Sequence, residues 1–183
     1  MIIVAVGGNL PNAGETLRQT LESALKLFSA HGLDITARSG WYQTTAVAET
    51  LQPDFLNAVV SVESRLSPEE ILAILHRIET IGGRVRRRRW EARAVDLDLI
   101  DYHGRIIEKA GKGAGDALRD GVPEALWLPL CLPHPRAAER AFVLRPLAEI
   151  APDWRHPVLG VSVLDLLKGM GADADRGVKR LEA

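Results

Sequence analysis

A single cysteine, Cys131, occurs in 183 residues. An intrachain disulfide framework is thereby excluded, which fits a reducing compartment. Cys131 itself reads as a small buried apolar residue. No apolar run reaches the roughly 20 residues that a membrane-spanning helix needs. The N-terminus, Met1-Ile2-Ile3-Val4-Ala5-Val6-Gly7, has no basic segment before its apolar stretch and is too short for a secretory leader. Together these absences predict a cytoplasmic protein. An excess of one charge is missing too: 23 basic residues against 24 acidic ones leave a net charge of −1. Such a molecule has no general electrostatic pull toward nucleic acid or an anionic membrane, so neither is expected as a partner. No internal repeat and no domain-sized linker breaks the chain. With 46% hydrophobic and 26% charged residues, the composition is that of one globular domain with a sizeable core.

Against this even balance one segment is sharply biased. Arg84, Arg86, Arg87, Arg88, Arg89 and Arg93 place six arginines in ten residues. Val95-Asp96-Leu97-Asp98-Leu99-Ile100 follows directly. Its alternation of acid and aliphatic predicts a strand with one polar and one buried face. Asp96 and Asp98 then point the same way, with Cα atoms roughly 7 Å apart. Such a pair can hold one or two hard divalent cations through oxygen. Beside so many guanidinium groups it points to Mg²⁺ and a polyphosphate, the acids holding metal and the arginines neutralising phosphate oxygens. The competing reading is a solvated strand face in a surface salt-bridge lattice, which would add little stability.

The apolar run 2–6, ending at Gly7-Gly8, predicts a buried first strand. Leu17, Leu21, Ala24, Leu25 and Phe28 mark one face of a helix that stops at Gly32. Residues 34–44 read as a second strand and 55–63 as a third, with the loop 46–53 between them. Ser67-Pro68-Glu69-Glu70 is a helix start in which Ser67 caps, Pro68 fits the first helical position and Glu70 completes a capping box. Ile71, Leu75 and Ile78 face inward, and Gly82-Gly83 ends the helix. The order strand, helix, strand, strand, helix, strand is the split βαβ, ferredoxin-like arrangement of the α+β class. It predicts a mainly antiparallel sheet with helices on one face. Residues 101–105 suggest a turn between short strands, and 108–132 a surface-loop insertion. Residues 137–142 suit a short helix, whereas Pro146 argues against a long uninterrupted one over 143–151. A final helix is expected over 163–168. The domain spans 1–170, and 171–183 reads as a loosely held tail.

Several short motifs recur in a telling order: Gly7-Gly8-Asn9-Leu10, Trp41-Tyr42-Gln43-Thr44, Gln52-Pro53-Asp54-Phe55-Leu56-Asn57-Ala58 and Ile78-Glu79. Next come Gly83-Arg84-Val85-Arg86, Arg93-Ala94-Val95-Asp96-Leu97-Asp98-Leu99-Ile100, Pro133-His134-Pro135-Arg136, Glu139-Arg140-Ala141-Phe142-Val143-Leu144 and Pro146-Leu147. In this order the chain resembles the 6-hydroxymethyl-7,8-dihydropterin pyrophosphokinase family from about residue 2 to residue 152. The resemblance implies a ferredoxin-like fold and an enzyme of folate synthesis. In that reaction the pterin hydroxymethyl oxygen attacks the β-phosphorus of ATP and AMP leaves. It further implies that Asp96 and Asp98 ligate two Mg²⁺ ions, and that Arg84 and Arg93 lie on the phosphates. Phe55 and Phe142 would stack the pterin. Asn57 would read its edge with an amide donor and acceptor, and Thr44 and Val47 would line the same pocket. On the ATP side the resemblance implies His76, Glu79, Arg86, Ile100, His134 and Arg140. Trp90 would cap the site as the basic loop closes and excludes water. His31, His103 and His156 read as structural. The expected partners are ATP and the pterin, for a monomeric protein.

The chain departs from the family's usual pattern at several positions. Gly8 stands for a usual Ser, Thr45 for a Pro, Phe55 for a Tyr, His76 for a Gln and Pro135 for a Tyr. Glu91 replaces a glycine before Arg93 and brings negative charge toward the phosphates. Two other readings compete. An RNA-recognition module shares the strand order but predicts base-stacking aromatics on its central strands; residues 2–6 have none, and the third strand has only Phe55. A nucleotidyltransferase with Gly-Gly and Asp-x-Asp would hold those motifs close together, whereas Gly8 and Asp96 are far apart.

Overall fold

The computed structural model describes residues 1–45, 52–83, 92–108, 130–174 and 177–182. Val47, Arg84, Arg86, Trp90, Glu91 and the arginines at 87–89 therefore lie outside the described residues, as does most of the 108–132 insertion. The framework is β1 (Ile2–Gly8), α1 (Leu17–Ala30), β2 (Asp34–Arg38), β3 (Tyr42–Thr44), β4 (Phe55–Glu63), α2 (Pro68–Ile81) and β5 (Asp96–Tyr102). It continues with α3 (Ala141–Ile150), α4 (Val163–Gly169) and β6 (Val178–Arg180). The strands form one sheet in the order β5-β1-β4-β3-β6, with β2 also on β4, and every pairing is antiparallel. This is the ferredoxin-like split βαβ arrangement that the element order predicts.

Local chemistry sets the helix ends. The Ser67 hydroxyl accepts the Glu70 amide proton while Glu70 takes the Ser67 N–H, closing the expected capping box. Thr16 and Gln19 build the same device at α1. Leu21, Phe28, Ile71, Leu75 and Ile78 are fully buried and pack on the even-numbered side chains of β1 and β4. No helix among the described residues is long and apolar enough to cross a membrane.

Four features differ from the sequence expectations. Residues 34–44 do not make one strand. The ladder breaks where the Ser39 hydroxyl accepts the Val59 amide proton, so β2 pairs with one half of β4 and β3 with the other. Helices cover both sheet faces, not one. Under α3 and α4 a second core gathers Ile3, Val59, Ile100, Val143, Leu144, Leu147 and Trp154. The helix α3 continues through Pro146. The proline sits deep enough to lose one helical hydrogen bond, but its ring is buried, and packing offsets that loss. Finally, the tail contributes β6, which pairs with β3.

The tail is also held through its charges. Glu149 in the last turn of α3 accepts from Arg180 on β6, from the Gly40 amide and from the Tyr42 hydroxyl. The Arg180 hydrogen bonds are the main cause that holds the Glu149 carboxyl down to about 2 from 4.5. A carboxyl whose folded pKa lies below its unfolded one stabilises the fold above the unfolded value, and that contribution is lost as pH falls through the folded one. Glu149→Gln is thus expected to lower Tm slightly at neutral pH, since Arg180 is largely exposed and solvent weakens the pair. The deficit should shrink between pH 4.5 and 2. A deficit that stays constant with pH would show that the ion pair does not set the acid limb.

Candidate active site

Sheet register assembles the site. Asp96 on β5, Gly7 on β1, Asn57 on β4 and Tyr42 on β3 stand in one row across four strands. With strands about 4.8 Å apart, Asp96 and Asn57 are separated by about 10 Å. Gly7 keeps the ground between them open: a Cβ there would stand 2.6 Å from Asn57 Oδ1. Asp98 lies two residues further along β5 on the same face, as the alternation requires. The helix α3 crosses this face of the sheet. Arg140, which precedes it, reaches Asp98 on β5, and Glu149 at its other end reaches Tyr42 at β3. Its core covers Ile3, Val59 and Ile100 and leaves the Asp96–Gly7–Asn57 row beside it uncovered by that core.

The acids are bordered by cations. Arg93 Nη2 lies 3.0 Å from Asp96 Oδ2, and Arg140 Nη1 lies 3.3 Å from Asp98 Oδ2. His134 Nε2 stands 4.0 Å from that same oxygen, and its main-chain N–H donates to the Ile100 carbonyl. Burial raises the Asp98 carboxyl above the usual range, and the Asp96 charge adds to this against the pull of His134 and Arg140. Burial likewise lowers the His134 imidazole, opposed by attraction to Asp98. A carboxylate held above its usual range beside a second one favours a divalent cation at the pair. No cluster of three or more His, Cys, Asp or Glu side chains with metal-binding geometry occurs among the described residues. The two carboxylate donors present, Asp96 and Asp98, match what Mg²⁺ takes from a protein when substrate phosphates and water complete its shell. The Arg93 guanidinium adds a donor seeking an acceptor, because its buried Nε has no hydrogen-bond partner among the described residues.

On the other side of Gly7 the surface changes character. Asn57 and Thr44 are buried, and the Asn57 amide donates to the Thr44 hydroxyl at 2.8 Å. This bond fixes the amide and leaves its carbonyl oxygen on the Gly7 side. Phe55 starts β4, with the Arg93 guanidinium 5.9 Å from its ring centre. Phe142 lies in the first turn of α3 and is 36% exposed, with Arg140 5.6 Å from its ring centre. Each aromatic ring is thus linked by an arginine to the acid pair.

Asp96, Asp98, Arg93, Arg140, His134, Phe55, Asn57, Thr44 and Phe142 therefore converge on one face. Two other expected residues do not offer side chains to a nucleotide. Glu79 is 2% exposed, and its carboxylate accepts the Leu97 amide proton, so it anchors the strand that carries the acids. Ile100 is wholly buried beneath α3, and what it supplies is its carbonyl to His134. His76 sits half-buried on α2, one turn before Glu79.

Asn9 is a site residue to which the sequence assigned no role. It is 1% exposed. Its Oδ1 accepts the Arg93 N–H at 2.8 Å, and its amide nitrogen donates to Pro53 O and Gln52 Oε1. It ties the segment before Phe55 to the backbone of Arg93. Asn9→Asp keeps the acceptor and loses the donor. It is expected to lower kcat/KM about 10-fold or more through misplacement alone, with the circular dichroism spectrum unchanged. An unaltered kcat/KM would remove this tie from catalysis.

Fold and geometry together define the class: a helix–sheet–helix sandwich, one sheet face of which joins an acid pair and arginines to aromatic and amide side chains. Over residues 3–152 the chain matches the family model described as 7,8-dihydro-6-hydroxymethylpterin-pyrophosphokinase. Two proteins named 2-amino-4-hydroxy-6-hydroxymethyldihydropteridine pyrophosphokinase are among its relatives. The one from Synechocystis sp. is 35% identical over 94% of this chain and 77% of its own length. The one from Haemophilus influenzae is 35% identical over 84% of this chain and 83% of its own. A crystal structure of Plasmodium falciparum HPPK-DHPS wild type with STZ-DHP superposes with a TM-score of 0.73 at 14% identity. It covers all of this chain, which spans 46% of that one, and at that identity the likeness is one of fold.

The chain belongs to the 7,8-dihydro-6-hydroxymethylpterin-pyrophosphokinase family. It is an enzyme of folate synthesis that transfers pyrophosphate from ATP to the hydroxymethyl group of 6-hydroxymethyl-7,8-dihydropterin, releasing AMP. The RNA-binding and nucleotidyltransferase readings find no support in these comparisons.

Proposed function

We propose that the reaction is Mg²⁺-dependent, with two ions held by Asp96 and Asp98, and that the pterin lies over the Gly7 opening between Phe55 and Phe142. The observation that carries this reading is the placement of the acid pair, ringed by Arg93 and Arg140, one glycine away from the Asn57–Thr44 amide edge. When bound, the metal supplies charge neutralisation and polarisation at the phosphates. The rest of the work falls to the protein, chiefly positioning and electrostatic stabilisation. Asn57 offers a donor and an acceptor to the pterin edge, and the two rings restrict it to one plane. That orientation brings the exocyclic hydroxymethyl oxygen toward the acid pair. There it attacks the β-phosphorus in line, the bond to the α-phosphate oxygen breaks, and AMP leaves. Arg93 and Arg140 take up the charge that develops on the phosphate oxygens.

Arg84 and Arg86 complete the phosphate grip, Trp90 caps the nucleotide and Val47 lines the pterin pocket, as the family resemblance implies. His76 and His134 flank ATP. Glu79 and Ile100 act indirectly, by holding β5 and His134. The working unit in this reading is the monomer.

Metal dependence is tested by AMP formation with free Mg²⁺ varied beyond saturation of ATP. EDTA should abolish turnover and Mg²⁺ restore it, with a second rise in rate after ATP is fully complexed. Turnover in EDTA would contradict the metal role.

A further inference from the structure

The match to the family model ends at residue 152, yet the chain beyond it reaches back to both walls of the pterin slot. The strand β6 pairs with β3 in the register Tyr42↔Arg180, Gln43↔Lys179 and Thr44↔Val178. Main-chain bonds from Thr45 to Gly177 (3.1 Å) and from Leu181 to Trp41 (2.8 Å) bracket that pairing. The strand β3 has three residues, one of which is the Thr44 that orients Asn57. So short a strand has little cohesion of its own.

The second attachment runs through Arg180. Its Nη2 and Nε donate to Glu149 Oε1 and Oε2 at 2.9 and 3.2 Å. The same carboxylate takes the Gly40 N–H at 3.0 Å and the Tyr42 O–H at 2.9 Å. Gly40 lets the guanidinium lie against the backbone: a Cβ there would stand 3.0 Å from Arg180 Nη2. Glu149 and Phe142 both lie on α3. Their seven-residue spacing puts them on one helix face, about 10 Å apart along the axis. One carboxylate thus joins the helix face that presents Phe142 to the strand that presents Thr44.

We infer that Arg180, acting through Glu149, is a positioning residue for the pterin: the C-terminal strand sets the spacing between the Phe142 wall and the Thr44–Asn57 wall. This rests on the pterin reading of the slot. ATP, held at the acid pair on the far side of Gly7, should be largely indifferent to the knot.

The test is steady-state kinetics of AMP formation on the full chain carrying Arg180→Ala. The KM for 6-hydroxymethyl-7,8-dihydropterin is expected to rise about 5- to 10-fold, while kcat and the KM for ATP stay within about twofold. Arg180→Lys keeps the charge and loses the bidentate fork, so a smaller rise in the same KM is expected. It carries the test if the alanine variant does not fold. Lys179→Pro attacks the other attachment, because ladder alternation aims the Lys179 N–H at Gln43, and should reproduce the pterin-selective loss. Equal rises in both KM values, a fall in kcat alone, or no change would overturn the role of Arg180. A wild-type chain that forms no AMP from the pterin would instead overturn the reading of the slot itself.

Discussion

Asp96→Ala is expected to lower turnover by about 10³-fold or more, equivalent to about 4 kcal/mol of barrier. The carboxylate is one of two that can hold a cation beside Arg93 and Arg140. Without it the phosphates lose the fixed point on which in-line geometry depends. The fold should lose far less. The Asp96–Arg93 pair is partly exposed, with side chains 20% and 26% accessible, and such pairs contribute about 0–1 kcal/mol. Asp98→Asn should inactivate to a similar degree without lowering Tm, because it removes a charge that burial and Asp96 already disfavour. Kinetics paired with thermal melts separate the two effects. Turnover within about fivefold of wild type in Asp96→Ala would take that residue out of the site.

Phe142→Ala should act on the other substrate. A flat heterocycle stacked on an aromatic side chain loses about 1–3 kcal/mol on alanine truncation, which corresponds to about 5- to 150-fold in pterin affinity. The ring is 36% exposed at the start of α3, outside the packed core, so truncation should leave no large cavity. ATP affinity should change by no more than about threefold, and that small effect has a route: Arg140 lies over Phe142 and also reaches Asp98. Equilibrium titrations of each substrate with the variant decide the matter. Equal losses for both would contradict a stacking role.

What could be read from the chain followed from local pattern. Alternation set Asp96 and Asp98 on one face, and Ser67 with Glu70 marked the start of α2. The split βαβ order followed because β1, α1, β4, α2 and β5 each announced themselves within a dozen residues. The second helical layer was written in the sequence too. Residues 2–6 and 56–62 are almost continuously apolar, as strands covered on both faces should be, but nothing local says which helix provides the cover. Glu79 lies one helical turn after the inward Leu75, the pattern of a buried acid, not of one facing solvent. The Asn9 tie, the Glu149 knot and the β6 pairing join residues from 31 to 138 positions apart, and contacts of that range leave no periodic trace in sequence. Pro146 contradicts a sound local rule because a buried ring can offset one lost hydrogen bond.

The central claim is that an acid pair and a stacked pterin bring a hydroxymethyl oxygen to the β-phosphorus of ATP. Incubating the full chain with ATP, Mg²⁺ and 6-hydroxymethyl-7,8-dihydropterin and separating the nucleotides tests it most directly. AMP and pterin diphosphate are expected in equal amounts, with no ADP. ADP paired with a pterin monophosphate, or AMP formed at the same rate without the pterin, would contradict it.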